Sequence, residues 1–393
     1  MSTVSLSSTP LCWCGSACSK PFSDDYRQCL DCGSLFLAAP HADDYFRVSN
    51  DDTGFYSSAY WLDYLPSAHG QPDVVARARA DLPERCLYWL STVLRFRQPP
   101  GKILELGCGP AAFTGLLAEA GFEAQGVEMS PAIVDWARKT WNVDVFRGPL
   151  EQLSLPPGSY AGIAAFDVLE HLPRPLQTLR CVADLLEPGG WALFQTPCFR
   201  TPDQTHEALV ERSDRFLEQM KPEEHVYLYT EQAVERLLAE AGLPWVRFLP
   251  ALYDYDMFVI AAREPLTEID RAESRAALLG SRSQRTALAL LDLNDAKQDS
   301  ERYWRLKGEE RALSLERELR EYRFGIPRTS ESFGRAEAEI RRLESERRRT
   351  AAELVRAMED NERLQLELCR LRLEQIETQG RLPSETAAPA GGS

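Results

Sequence analysis

The chain has 393 residues and a formal net charge of -15, from 60 acidic and 45 basic side chains, and that acidity argues against nonspecific nucleic-acid binding. At 44% hydrophobic and 27% charged it has the composition of an ordinary globular protein of two or three domains, without an apolar run of membrane-spanning length. The opening MSTVSLSSTP lacks a basic flank and an apolar core, so no secretory signal is expected, and the expected compartment is the reducing cytoplasm.

Residues 1–40 form a cysteine-rich head holding Cys12, Cys14, Cys18, Cys29 and Cys32, half of the ten cysteines. In a reducing compartment such a cluster suggests metal binding before disulfides. Two knuckles, Cys12-x-Cys14-Gly15 and Cys29-x-x-Cys32-Gly33, supply four thiolates for a tetrahedral zinc. Four protein ligands leave no open position, which makes that zinc structural. The first knuckle has one residue between its cysteines, so Cys18 can replace Cys12 or Cys14. The glycine shared by Cys14-Gly15 and Cys32-Gly33 favours Cys12 and Cys14. The competing reading is a set of free cysteines in a loose head.

Residues 41–100 form an aromatic and charged connector, with FYSSAYWLDY as either a lid or simple packing. Residues 101–263 alternate apolar runs with helical patterns. KILELGCG, EAQGVEMS, VDVFRG, AGIAAFDVLEHL and GWALFQTP are expected strands; AAFTGLLAEAG, PAIVDWARKTW and TEQAVERLLAEAG are expected helices. PWVRFLP and DYDMFVIAARE close the region as a hairpin-like pair. Alternating βα units predict an α/β fold with a mostly parallel, Rossmann-like sheet. Residues 264–330 read as a helical linker. Over 331–378, Ile340, Leu354 and Leu368 alternate with Leu343, Leu364 and Leu371 at steps of three and four, interrupted by polar slots such as Asn361. That seam predicts a coiled coil and hence a homodimer, although a single solvated helix competes. Residues 379–393 are expected to form a disordered tail.

The segment Leu104-Glu105-Leu106-Gly107-Cys108-Gly109 lies between an expected strand and helix, where glycines let backbone approach a ligand. Cys108 fits there as a small buried residue. Glu128 ends the next strand, at the spacing of a carboxylate that takes ribose hydroxyls. A dinucleotide fingerprint can be forced onto Gly107, Gly109 and Ala112, but a pyrophosphate has no use for Glu105 or for Asp167. A sulfonium cofactor with a free amino group explains both acids.

LELGCG, GVEMS, DVLEHL and LLEPGGWALFQTP, in that order, resemble the motifs of class I S-adenosylmethionine-dependent methyltransferases. The resemblance implies that Glu105, Gly107, Cys108 and Gly109 surround the methionine part of the cofactor. It places Glu128 on the ribose, Met129 on the adenine (core packing being the alternative) and Asp167 near the amino group. Ala111 departs from the family loop, which often has glycine there. The cysteine knuckles, FYSSAYW, RARADLPERCLYWL and DRFLEQMKPEEHVYLYT are similar to bacterial methyltransferases of sugar and glycan biosynthesis that carry an N-terminal zinc-binding head. This implies a small-molecule or glycan acceptor methylated on oxygen or carbon. Oxygen transfer gains from a general base, and His171 and His225 are the candidates. The alternatives are a methyltransferase for a non-sugar acceptor and a non-catalytic scaffold.

Overall fold

The computed structural model describes residues 10–42, 45–48, 54–69, 73–299, 302, 306 and 342. The chain divides into two units, Met1–Leu288 and Ala289–Ser393. In the second unit residues 289–299 are helical, whereas the tail over 379–393, most of the expected linker and, Arg342 apart, the coiled coil expected over 331–378 lie outside the described residues.

The head contributes three short strands, β1 (Ser19–Pro21), β2 (Tyr26–Cys29) and β3 (Leu35–Leu37). The connector folds into helices α1 (Leu65–His69), α2 (Val74–Asp81) and α3 (Leu87–Leu94). Asp73 caps α2 by accepting the Ala76 N–H. A single π-type turn over Leu82–Cys86, with Pro83 near its start, joins α2 to α3. α3 buries Leu87, Trp89, Leu90, Val93 and Leu94, so the connector is core at its carboxyl end.

The main domain then alternates β4 (Lys102–Leu106), α4 (Ala112–Glu119), β5 (Glu123–Glu128), α5 (Pro131–Trp141), β6 (Asp144–Arg147), β7 (Tyr160–Phe166), α6 (Pro175–Leu185) and β8 (Leu186–Pro197). α7 (His206–Glu211), β9 (Tyr227–Leu228), α8 (Glu231–Glu240), β10 (Trp245–Leu249), β11 (Asp256–Ala262) and α9 (Arg271–Ala276) follow. The seven-stranded sheet has the order β10-β11-β8-β7-β4-β5-β6. Its strands β4 to β8 pair in parallel, and the β10–β11 hairpin adds antiparallel to β8. All seven residues of β7 and of β11 are buried, so helices or loops cover both faces there.

Two features of this architecture position the site. The chain winds outward from β4 to β6, then returns to place β7 on the other side of β4. Such a reversal opens a crevice beyond the carboxyl ends of the strands. The head, moreover, is no separate bead. β3 pairs antiparallel with β9, as Leu35↔Leu228 and Phe36↔Tyr227, in a second sheet of order β1-β2-β3-β9. Tyr26 Oη donates to the His225 carbonyl at 2.8 Å, and Gln28 Nε2 to the Pro202 carbonyl at 2.8 Å.

The segment following β11 also packs on the main domain. The Ile269 N–H donates to the Arg95 carbonyl, Glu268 pairs with Arg95 at 2.9 Å, and Leu278 and Ala287 are buried. Residues 264–288 are therefore part of the first unit, held by apolar anchors that the Arg- and Glu-rich composition obscured.

Candidate functional site

A cavity of about 610 Å³ opens at the carboxyl ends of β4, β5 and β7 and is lined there by Leu106, Gly107, Val127, Glu128, Met129, Phe166 and Asp167. Gly107 has φ 67°, and a Cβ there would lie 2.5 Å from Val168 Cγ2, so a side chain is excluded twice over. Ala111 is left-handed at φ 56°, the conformation that explains why glycine suits that slot.

Glu128 accepts three backbone amides at the carboxyl end of β5. Oε1 accepts the Met129 and Ser130 N–H groups at 2.8 Å each, and Oε2 accepts the Gly109 N–H at 3.1 Å. Burial raises its pKa and the three amides oppose that shift. An ionised carboxylate has about four lone-pair sites, so capacity for a ligand hydroxyl remains on Oε2. Glu128 thus ties the loop after β4 to the turn after β5.

Glu105, Cys108 and Gly109 are not on the cavity wall. Glu105 is 6% exposed and accepts the Thr114 hydroxyl, so its reach to a ligand runs through the loop. Cys108 is buried against Gly126, and Trp61 covers Gly109. Burial pushes the Glu105 carboxyl up to about 7, against hydrogen bonds from Thr114. A value raised on folding stabilises fully below the ordinary 4.5 and loses that contribution as pH rises through about 7. Glu105→Gln keeps an acceptor for Thr114. It is expected to gain stability over the parent between about pH 5 and about pH 8, read by urea denaturation without cofactor. A pH-independent difference would count against an ionising buried Glu105.

Asp167 follows β7 with φ 56°, a strained position for a residue with a side chain. It pairs with Arg85 Nη1 at 2.8 Å and accepts Gln195 Nε2 at 3.2 Å. Arg85 also bonds Asp81 at 3.0 Å and lies over the Trp89 ring. No local pattern marks this partner, because residues 85 and 167 come from different regions. Among the titratable side chains lining the cavity, eight carboxyls face five Lys or Arg, so the wall is acidic on balance but locally paired. Trp61 Nε1 is buried with no acceptor among the described residues and lies on the wall, which suits a ligand oxygen.

The cavity wall also holds both candidate histidines. The His225 ring is 4.8 Å from that of His171. His171 Nδ1 donates to the Glu224 carbonyl at 2.9 Å, with Tyr56 Oη also within 2.8 Å. His225 Nδ1 donates to the Gln219 carbonyl at 2.7 Å. A carbonyl only accepts, so both imidazoles carry their proton on Nδ1 and a lone pair on Nε2. Burial holds the His171 pKa below the ordinary histidine value. Glu170 is 1% exposed and accepts the Thr196 hydroxyl at 2.8 Å; burial, then Asp167, holds its carboxyl well above the ordinary range. Tyr60 Oη donates to Glu224 Oε2 at 3.2 Å. Tyr56, Tyr60 and Trp61 all line the cavity, which places the connector aromatics on its wall. Sequence reasoning passed over Glu170 and Glu224, although the repeated Glu-His pairs, Glu170-His171 and Glu224-His225, were a signal.

In the head, the thiols of Cys12, Cys14, Cys29 and Cys32 lie within 4.8 Å of one another. Cys12–Cys32 and Cys14–Cys29 sulfurs are 3.6 and 3.7 Å apart. A tetrahedron with metal–sulfur bonds of about 2.3 Å has edges of about 3.8 Å, which the two measured pairs match, so the four sulfurs suit a zinc. Cys18 is exposed and outside the group. The knuckle glycines adopt φ 80° at Gly15 and 77° at Gly33. A hydrogen bond from Cys12 and others from Ser34 lower the Cys32 thiol to about 5, against its burial.

Residues 78–247 match the family model described as a methyltransferase domain. Over 135 residues the chain is 32% identical to a ubiquinone biosynthesis O-methyltransferase of Xanthomonas campestris pv. campestris, a match covering 31% of this chain and 56% of that protein. It is 32% identical over 101 residues to the Bordetella pertussis protein of the same name, covering 24% and 42%. The chain thus spans about half the length of the curated relatives it matches. A solved S-adenosylmethionine-dependent methyltransferase of Thermotoga maritima aligns at 18% identity and TM-score 0.35, covering 49% of this chain and 96% of that one. No helix among the described residues is long and apolar enough to cross a membrane. The strand order and the glycine turn after β4 agree with the family match: residues 78–247 form a methyltransferase domain.

Proposed function

We propose that this protein transfers a methyl group from S-adenosylmethionine to a hydroxyl of a small-molecule or glycan acceptor, in the first instance a sugar. Bound S-adenosylmethionine supplies a methyl group already activated on a sulfonium. Glu128, Gly107 and Met129 hold the nucleoside end, and Asp167 receives the amino group. His171 and His225 serve the acceptor end, where their Nε2 lone pairs accept or polarise the hydroxyl proton; Tyr56 and Tyr60 fix the neighbouring His171 and Glu224. Cys12, Cys14, Cys29 and Cys32 hold a structural zinc.

The observation that carries the sugar reading is the density of hydrogen-bonding groups at the acceptor end: Tyr56, Tyr60, Glu170, His171, Glu224 and His225 surround one chamber. Such a lining suits a polyol, whose hydroxyls each need a partner when desolvated. A phenolic acceptor is the second reading, favoured by the aromatic wall of Phe46, Tyr56, Tyr60 and Trp61 and by the names of the curated relatives. Calorimetry with S-adenosylmethionine, followed by methyl transfer to panels of nucleotide sugars and catechols, separates these readings. Absence of cofactor binding would instead favour a scaffold built on the fold.

The homodimer is proposed from the heptads alone. Removing the residues beyond Gly325 is expected to give a monomer that still binds cofactor, measured by light scattering. An unchanged assembly mass after truncation would place the interface elsewhere.

A further inference from the structure

Glu170, His171 and His225 come from two loops that the fold binds together. The Val226 N–H donates to the Glu170 carbonyl at 2.8 Å, and Tyr229 Oη donates to the Leu169 carbonyl at 3.2 Å. One ligand atom from each of the three side chains lies within 4.8 Å of the other two. His171 Nε2 is 3.8 Å from Glu170 Oε1. Both histidines donate Nδ1–H to a main-chain carbonyl, and the other oxygen of Glu170 is held by Thr196. That outer ring of bonds is the arrangement that orients metal-ligating side chains and fixes the Nε2 tautomer. All three groups lie on the cavity wall.

We propose that Glu170, His171 and His225 bind a divalent first-row metal ion whose remaining positions take the oxygen atoms of the acceptor. Two imidazoles and one carboxylate on one face, with open positions toward a cavity, are a donor set suited to such ions. Donors about 2.1 Å from a shared ion sit roughly 3 to 3.5 Å apart, so small side-chain rotations complete the site. The ion also answers a charge problem. The Glu170 carboxyl is 1% exposed, its neighbour Asp167 is itself an acid, and Arg85 is bonded to Asp167 and Asp81. A bound cation compensates that buried acid and lowers the cost of ionising a coordinated hydroxyl. The role assigned to the ion rests on the methyl-transfer reading; its binding does not.

The test uses the full-length protein with its thiol site already filled by zinc, titrated with Mn2+ and followed by electron paramagnetic resonance. Mn2+ prefers oxygen and imidazole donors, so it leaves the four-thiolate site alone. One bound Mn2+ per chain with nitrogen couplings from two imidazoles is expected. Glu170→Gln and His225→Asn should each weaken Mn2+ binding at least tenfold while S-adenosylmethionine binding persists, which also reports that the variants fold. No Mn2+ binding, binding without nitrogen coupling, or affinity unchanged in both variants overturns the site. Methyl transfer by a preparation that binds no Mn2+ would overturn it while leaving the transferase reading intact; Mn2+ binding without any transfer would do the reverse.

Discussion

Replacing Glu128 with alanine is expected to weaken S-adenosylmethionine binding by about 1–3 kcal/mol and to lower folding stability by a further ~2–3 kcal/mol. The first loss is that of charge-assisted bonds to ligand hydroxyls. The second follows because the carboxylate accepts the amides of Gly109, Met129 and Ser130, which have no other acceptor once it is gone. Water from the cavity partly replaces it, which keeps the cost at the low end for three donors. Glu128→Gln should fall between, because its amide nitrogen can accept none of these N–H groups. Calorimetry gives the affinity, and denaturant unfolding without cofactor gives the stability. An affinity equal to the parent would remove Glu128 from the cofactor site even if the protein were destabilised.

The other large effect is expected from the thiol centre. Cys29→Ser, or extraction of the metal, should unfold the head, since structural zinc contributes roughly 10–16 kcal/mol to small zinc-dependent folds, as much as a whole domain is worth. The damage should reach the acceptor end. β3 supports β9 at Tyr227–Leu228, two residues after His225, and Tyr26 holds the His225 carbonyl. Turnover is therefore expected to fall more than about tenfold while cofactor affinity changes less than about twofold, because Glu128 and Gly107 rest on the parallel sheet. Metal analysis with hydrogen exchange across Tyr26–Leu37 and Val226–Tyr229 reports the cause. Retained protection in metal-free protein would show that the head folds without the ion.

The parts legible in the sequence were those carried by local pattern. The glycine turn after β4, the acid closing β5 and the βα alternation each occupy a few consecutive residues, and the four clustered thiols declared themselves by spacing. The glycine after Cys14 favoured that cysteine over Cys18, and Cys18 is exposed and outside the group. The acceptor end was half legible. His171 and His225 were visible as residues, but their tautomers depend on the carbonyls of Glu224 and Gln219, and Tyr56 joins them from 115 residues away. β9 is two residues long and exists because β3 pairs with it, so no periodicity marked it. Apart from Arg342, the heptads beyond residue 331 lie outside the described residues and stand as an expectation.

The salt bridge between Arg85 and Asp167 has a consequence for how a ligand enters. If Asp167 takes the cofactor amino group as proposed, the guanidinium already stands at that carboxylate, so docking would swap one cation for another instead of quenching a bare anion. Such an exchange yields little net Coulomb energy, and association should respond only weakly to added salt. Affinity for such a ligand must then come from the shape around Met129 and the bonds at Glu128 more than from charge at Asp167.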